Sequence, residues 1–171
     1  MSAVNEDLLD SLLAKLEMAS NWSPRIISKL ESFIRTADDF DVFRVNALQY
    51  AAEKGITENE SIDLFLHAAK LGLFDLEWNI ICSCCGQNFK SLRNMSKLHA
   101  HFVCSLCGME NQAHLDDYIE VSFTLSSAVR DTRFRHPDSL SPEDYALHYI
   151  MTKGVMRQPS LGPNQIGRAH V

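Results

Sequence analysis

Cys82-Ser-Cys-Cys85-Gly86 and Cys104-Ser-Leu-Cys107-Gly108 decide how this chain is read. Each segment offers two thiols three positions apart, and eighteen residues lie between the pairs. A Cys-x-x-Cys turn closed by Gly aims both sulfurs at one centre, because Gly accepts the left-handed backbone that ends the turn. Two such turns brought together make a tetrahedral four-thiolate site, and their spacing falls in the zinc-ribbon window. All five cysteines lie between Cys82 and Cys107, which argues for one metal site and against a disulfide framework. The expected ligands are Cys82, Cys85, Cys104 and Cys107, holding structural zinc; four cysteines close the coordination sphere and leave no position for a catalytic water. Cys84 is a spare thiol that can compete with its neighbours, but Cys82 and Cys85 repeat the spacing of the second pair. His99, His101 and His114 are nearby substitutes or plain polar residues. A redox Cys-x-x-Cys pair opens a helix within a βαβ unit, whereas these turns sit among strand-like stretches.

Ahead of the turns the pattern is helical. Leu8, Leu9, Leu12, Leu13 and Leu16 make residues 6–19 an amphipathic helix. Ser23-Pro24 starts a second, with Ile26, Ile27, Leu30, Phe33 and Ile34 as its apolar face. Asp38-Asp-Phe-Asp41 is a break, followed by a third helix over Val42–Lys54 that Gly55 ends. Thr57-Glu-Asn-Glu60 reads as a capping box launching a fourth, whose buried face is expected to be Ile62, Phe65, Leu66 and Ala69. From Asp75 the period shortens. Trp78–Ile81 and His101–Val103 enter the two turns as strands, with a helical turn or loop over Ser91–His99 between them. Tyr118–Leu125 alternates, with Ile119, Val121, Phe123 and Leu125 on the buried side. Ser141-Pro142 opens a last helical stretch. The fold class is therefore α+β: an N-terminal helical bundle, then a four-cysteine zinc ribbon with extended antiparallel β structure. The expected organisation is an acidic helical region over 1–77, the ribbon and long strand over 78–128, a further α/β segment over 129–158, and an unstructured tail over 159–171.

Residues 1–81 carry fourteen Asp or Glu against seven Lys or Arg, and residues 82–171 carry eight against nine. An acidic helical half repels phosphate backbones, and the neutral remainder offers no basic stripe, so nucleic acid is a poor partner. A helix-turn-helix reading of Ala47–Ala69 meets the same objection: its second helix would bring Glu58 and Glu60 to the phosphates. Arg130, Arg133, Arg135 and His136 are the one basic cluster and read as a solvated loop, as does the Asp116-Asp117 turn. No apolar run is long enough to span a bilayer, the start lacks a basic export signal, and unpaired cysteines suit a reducing cytoplasm.

Several segments together resemble a known bacterial family. They are Trp22-Ser-Pro-Arg-Ile-Ile-Ser-Lys-Leu-Glu31, Phe43-Arg-Val-Asn46, Ala51-Ala-Glu-Lys-Gly55, Ile62-Asp-Leu-Phe-Leu-His67 and Gly72-Leu-Phe-Asp-Leu-Glu-Trp78. The paired cysteine turns, Leu115-Asp-Asp-Tyr-Ile-Glu-Val-Ser-Phe-Thr124, Val129-Arg130 and Phe134-Arg-His-Pro-Asp-Ser-Leu140 extend the match over about residues 20–150. The pattern is similar to the N-terminal zinc-ribbon-containing domain of bacterial adenylate/guanylate cyclase-like proteins with class III catalytic domains. The resemblance implies a cytoplasmic regulatory or sensory segment, partnered by an attached or separate cyclase domain. It does not imply catalysis here: no segment looks like the catalytic domain with its metal-binding aspartates, and no Gly-rich phosphate loop is present. Ser83 stands where that family tends to carry proline, which gives up turn rigidity. The closing Ile166-Gly-Arg-Ala-His-Val171 resembles a translated sequencing adapter, so the natural protein is expected to continue past about residue 165. The rival readings are a free-standing zinc-ribbon adaptor binding protein or RNA, and a thiol redox sensor that uses Cys84.

Overall fold

A computed structural model describes residues 3–92, 101–112 and 119–150. Four helices come first: α1 (Glu6–Ala19), α2 (Pro24–Thr36), α3 (Ala47–Lys54) and α4 (Glu58–Lys70). Strands β1 (Phe74–Ile81), β2 (Asn88–Leu92), β3 (His101–Val103), β4 (Glu110–Gln112) and β5 (Ile119–Leu125) follow, and a short α5 (Pro142–Tyr145) runs into a π-helical turn over Ala146–Ile150. The class is α+β. Strands order β2-β1-β5 in one sheet and β3-β4 in the other, and the β1–β2 and β3–β4 pairings are antiparallel. The chain divides into two compact units, Met1–Leu76 with Ser122–Pro137, and Glu77–Val121 with Asp138–Val171; the divisions fall inside β1 and β5.

The first unit is built on leucine and phenylalanine. Leu9, Leu12, Leu13 and Leu16 of α1 are buried, as are Ile26, Ile27, Leu30, Phe33 and Ile34 of α2, the faces that the helical period marks out. Phe65 sits among three rings, edge-on to Tyr50 and Phe74 and tilted against Phe123, each with centroids 5.1 Å apart. Local signals at the helix ends hold as well. Pro24 occupies the first turn of α2, and Gly55 ends α3 with φ 60°. Thr57 accepts from the Glu60 N–H while the Glu60 carboxylate accepts from the Thr57 N–H and hydroxyl, a complete capping box.

That box sets a modest prediction. Thr57→Ala is expected to lower the stability of the helical unit by about 1 kcal/mol, read by chemical denaturation. The bonds from Thr57 hold the Glu60 carboxyl below its ordinary value. A carboxyl depressed in the fold contributes stability above its unfolded value and loses it as pH falls through the folded one. The Thr57→Ala deficit should therefore shrink in acid; a deficit independent of pH would contradict the box.

Four details depart from the sequence expectation, each for a tertiary reason. The third helix starts at Ala47, not at Val42: Asn46 caps it by accepting from the N–H groups of Leu48 and Gln49. Val42–Val45 is a turn and bend instead, with Val45 and Phe123 exchanging both backbone hydrogen bonds as an isolated bridge and the Leu125 N–H donating to the Val42 carbonyl. On α4 the buried face is Ser61, Leu64, Phe65 and Ala68, while Ile62 and Leu66 are 39% and 46% exposed. Small Ser61 lets α3 come close, and its hydroxyl donates to the Ala47 carbonyl at 2.6 Å, so a polar residue takes a core position. The end of β5 is covered on both faces, since Ser122 and Thr124 are buried beside Phe123 and Leu125. Thr124 Oγ1 accepts from the Arg44 N–H, and Arg44 has φ 52°.

The fourth departure is the basic cluster, which is largely structural. Arg130 is 1% exposed and donates to the carbonyls of Ile34 and Ala37, both at 2.9 Å, with Asp39 at 3.5 Å. Arg135 donates to the Leu125 carbonyl and to Asp75 at 2.6 Å. Arg133 stacks its guanidinium on Phe134, and His136 meets Asp131 at the surface. The α3–α4 hairpin packs through the Ser61–Ala47 contact. Ser91 and Leu92 belong to β2. The remainder of the 91–99 loop, the Asp116-Asp117 turn, Tyr118, His99, His114 and the tail over 159–171 lie outside the described residues.

Candidate metal centre

In the second unit two hairpins carry the cysteines. β1 and β2 pair from Trp78↔Leu92 to Ile81↔Asn88, with a bulge after Ile80, and the first turn joins them. β3 and β4 pair from His101↔Gln112 to Val103↔Glu110 around the second. Ile80, Leu92 and Phe102 form a small core there, with Trp78 against it.

The two turns are backbone copies of each other. Cys82 N–H donates to Gln87 O at 2.8 Å and Gly86 N–H to Cys82 O at 3.0 Å. Cys104 N–H donates to Met109 O and Gly108 N–H to Cys104 O, both at 2.9 Å. Gly86 and Gly108 have φ 72° and 71°. A Cβ on Gly108 would meet no atom within 4 Å, so the left-handed backbone, and not lack of room, calls for glycine.

These turns bring the Sγ atoms of Cys82, Cys85, Cys104 and Cys107 within 4.8 Å of one another. Cys82–Cys107 and Cys85–Cys104 are each 3.6 Å apart. A disulfide needs about 2.05 Å, whereas sulfurs at the corners of a tetrahedron with metal bonds of about 2.3 Å stand about 3.8 Å apart. The four thiols are free and spaced for one metal ion. Cys84 stands outside the cluster, half-buried, and His101 is not part of it.

Burial and hydrogen bonding differ among the four. Cys82 and Cys104 are each 1% exposed, Cys85 is half-buried and Cys107 is exposed. Burial pushes the Cys82 thiol up, but the N–H groups of Cys85 and Cys84, with Asn111, outweigh it and hold the thiol at about 7. Cys85 is pushed up to about 12, chiefly by burial and further by its bonds to the neighbouring sulfurs. A cation placed among the sulfurs reverses that second balance, since its charge favours the thiolate. Two amides brace the cluster, one on a sulfur of each turn. Asn111 of β4 donates to Cys82 Sγ at 3.5 Å, and Gln87 Oε1 accepts from the Cys104 thiol at 2.9 Å. Their spacing from the cysteines carries no motif, so sequence reasoning passed over both.

Fold and site together define an α+β protein with a closed four-thiol candidate metal centre. The model of a family of unknown function, DUF5939, matches residues 7–162, and the chain belongs to that family. No curated protein and no solved structure matches it. Among the described residues no helix is long and apolar enough to cross a membrane.

Proposed function

We propose that Cys82, Cys85, Cys104 and Cys107 hold a structural zinc ion, and that the chain is a non-catalytic regulatory module of an adenylate/guanylate cyclase-like signalling protein working in the cytoplasm. One observation carries the metal reading: four thiols at tetrahedral spacing, supplied by two identically hydrogen-bonded turns. An all-sulfur set selects a soft or borderline cation, and its completeness leaves no open position for water, which favours structure over catalysis. Zinc here ties the ends of two short hairpins whose own core is small. The regulatory part rests on the resemblance of residues 20–150 to domains that precede class III catalytic domains. A partner or attached cyclase domain would receive the signal.

The adaptor reading has a specific observation behind it. Val103, Leu106 and Met109, on and beside the second turn, are 58%, 59% and 46% exposed. That apolar surface suits a protein partner better than RNA.

Metal analysis of the purified chain combined with sequencing of the genomic locus across codons 159–171 tests the proposal. About one zinc per chain is expected, with a reading frame that continues into a class III catalytic domain. Metal-free protein that keeps its fold sinks the zinc reading. A stop codon directly after the described family region favours the adaptor.

A further inference from the structure

The Asn111 side chain reaches both cysteine turns through its hydrogen bonds. It is 4% exposed on β4. Its Oδ1 accepts from the N–H of Ser83 at 3.0 Å and from the Ser83 hydroxyl at 2.8 Å, inside the first turn. Its Nδ2 donates to the carbonyl of Met109 at 2.9 Å, at the exit of the second turn, and to Cys82 Sγ at 3.5 Å. The orientation of the amide follows from its backbone partners: a carbonyl can only accept and a peptide N–H can only donate, so the nitrogen end must face Met109 and the sulfur. Gln87 differs. Its partners are the Cys104 thiol and, at 3.3 Å, the Ser105 hydroxyl, groups that can each donate or accept, so that amide is free to turn over.

We infer that Asn111 is a positioning residue of the metal centre: it clasps the two cysteine turns together and aims a fixed N–H at the Cys82 sulfur, thereby setting how tightly the ion is retained. The inference rests on the zinc reading and assigns its control to a residue that is not a ligand. A thiolate that accepts an N–H bond is oriented and loses part of its charge to the donor, and such outer partners govern metal affinity by about 10–100-fold. The Ser83 bonds fix the amide from the other side. Rotation of the Asn111 side chain away from the sulfur would break four hydrogen bonds at once.

The test uses the full chain loaded with zinc and titrated with a chromophoric chelator, and in parallel with Co2+ to read the sulfur-to-metal charge-transfer band. Asn111→Ala is expected to weaken zinc retention about 10–100-fold. Asn111→Asp keeps the acceptor for Ser83 but sets an anionic oxygen against the sulfur. It should weaken zinc at least as much as the alanine variant and move the band. Ser83→Ala leaves the donor in place and removes one of the anchoring bonds, so its loss should have the same sign and be smaller. An Asn111→Asp protein with wild-type zinc retention and an unmoved band overturns the inference while leaving the zinc centre standing. Wild-type protein that binds neither Zn2+ nor Co2+ overturns both. Should the Asn111 variants fail to fold, unchanged zinc retention in Ser83→Ala overturns the clasp.

Discussion

Cys104→Ser is expected to abolish stoichiometric zinc binding and unfold the second unit, while the helical unit keeps its own melting transition. The reason is the scale of the metal's contribution. Zinc in small four-ligand domains supplies on the order of 10–16 kcal/mol at neutral pH, far more than Ile80, Leu92 and Phe102 can give a pair of short hairpins. Cys104 is 1% exposed, and its sulfur faces Cys85 at 3.6 Å. Serine there is a poor ligand for a soft site and leaves three sulfurs that cannot close a tetrahedron. The first unit has a separate core in Leu9, Leu30, Phe65 and Phe74, with no cysteine in it. Calorimetry with and without a chelator, alongside metal content, reads the outcome. Stoichiometric metal with an unchanged transition in Cys104→Ser would falsify the four-thiolate assignment. Two transitions in the wild type, of which only one responds to the chelator, is the pattern expected.

Arg130→Met should destabilise the helical unit by about 3–5 kcal/mol, the usual result of breaking a buried ionic group by removing one partner. The guanidinium satisfies the carbonyls of Ile34 and Ala37, where α2 ends and no further helical N–H is available. It also stands 3.5 Å from Asp39, whose side chain is 13% exposed. Methionine fills much of the volume but leaves both carbonyls unbonded and a carboxylate without its counter-charge. The double variant Arg130→Met with Asp39→Asn should recover part of the loss, because the orphaned charge is gone. Urea denaturation followed by helical circular dichroism measures both. A change below about 1 kcal/mol, the scale of an exposed ion pair, would mean that the arginine behaves as the solvated loop residue its sequence context suggests.

Arg130 shows where the limit of sequence reading lies. It sits in a run with Arg133, Arg135 and His136 that looks like any charged loop, and nothing local marks one of the four as core. Its partners are Ile34, Ala37 and Asp39, more than ninety positions away. The same holds for Ser61, which takes a core position on α4 while Ile62 does not, its buried hydroxyl finding an acceptor in the Ala47 carbonyl. It holds too for Ser122 and Thr124, both buried at the end of β5, with Thr124 Oγ1 accepting from the Arg44 N–H eighty positions away.

What the sequence by itself determined was everything with a local cause. The leucine faces of α1 and α2 follow from helical period, the Thr57–Glu60 box and Gly55 from end effects within one turn, and the cysteine turns from a spacing and a glycine that work inside five residues. The candidate ligands were legible because coordination chemistry leaves few arrangements open to four thiols. Tertiary structure alone decided which polar groups go inside: Arg130, Ser61, Thr124 and Asn111 each find a hydrogen-bond partner on another segment. A buried polar atom must find a partner, and no periodicity in the chain records where that partner will be.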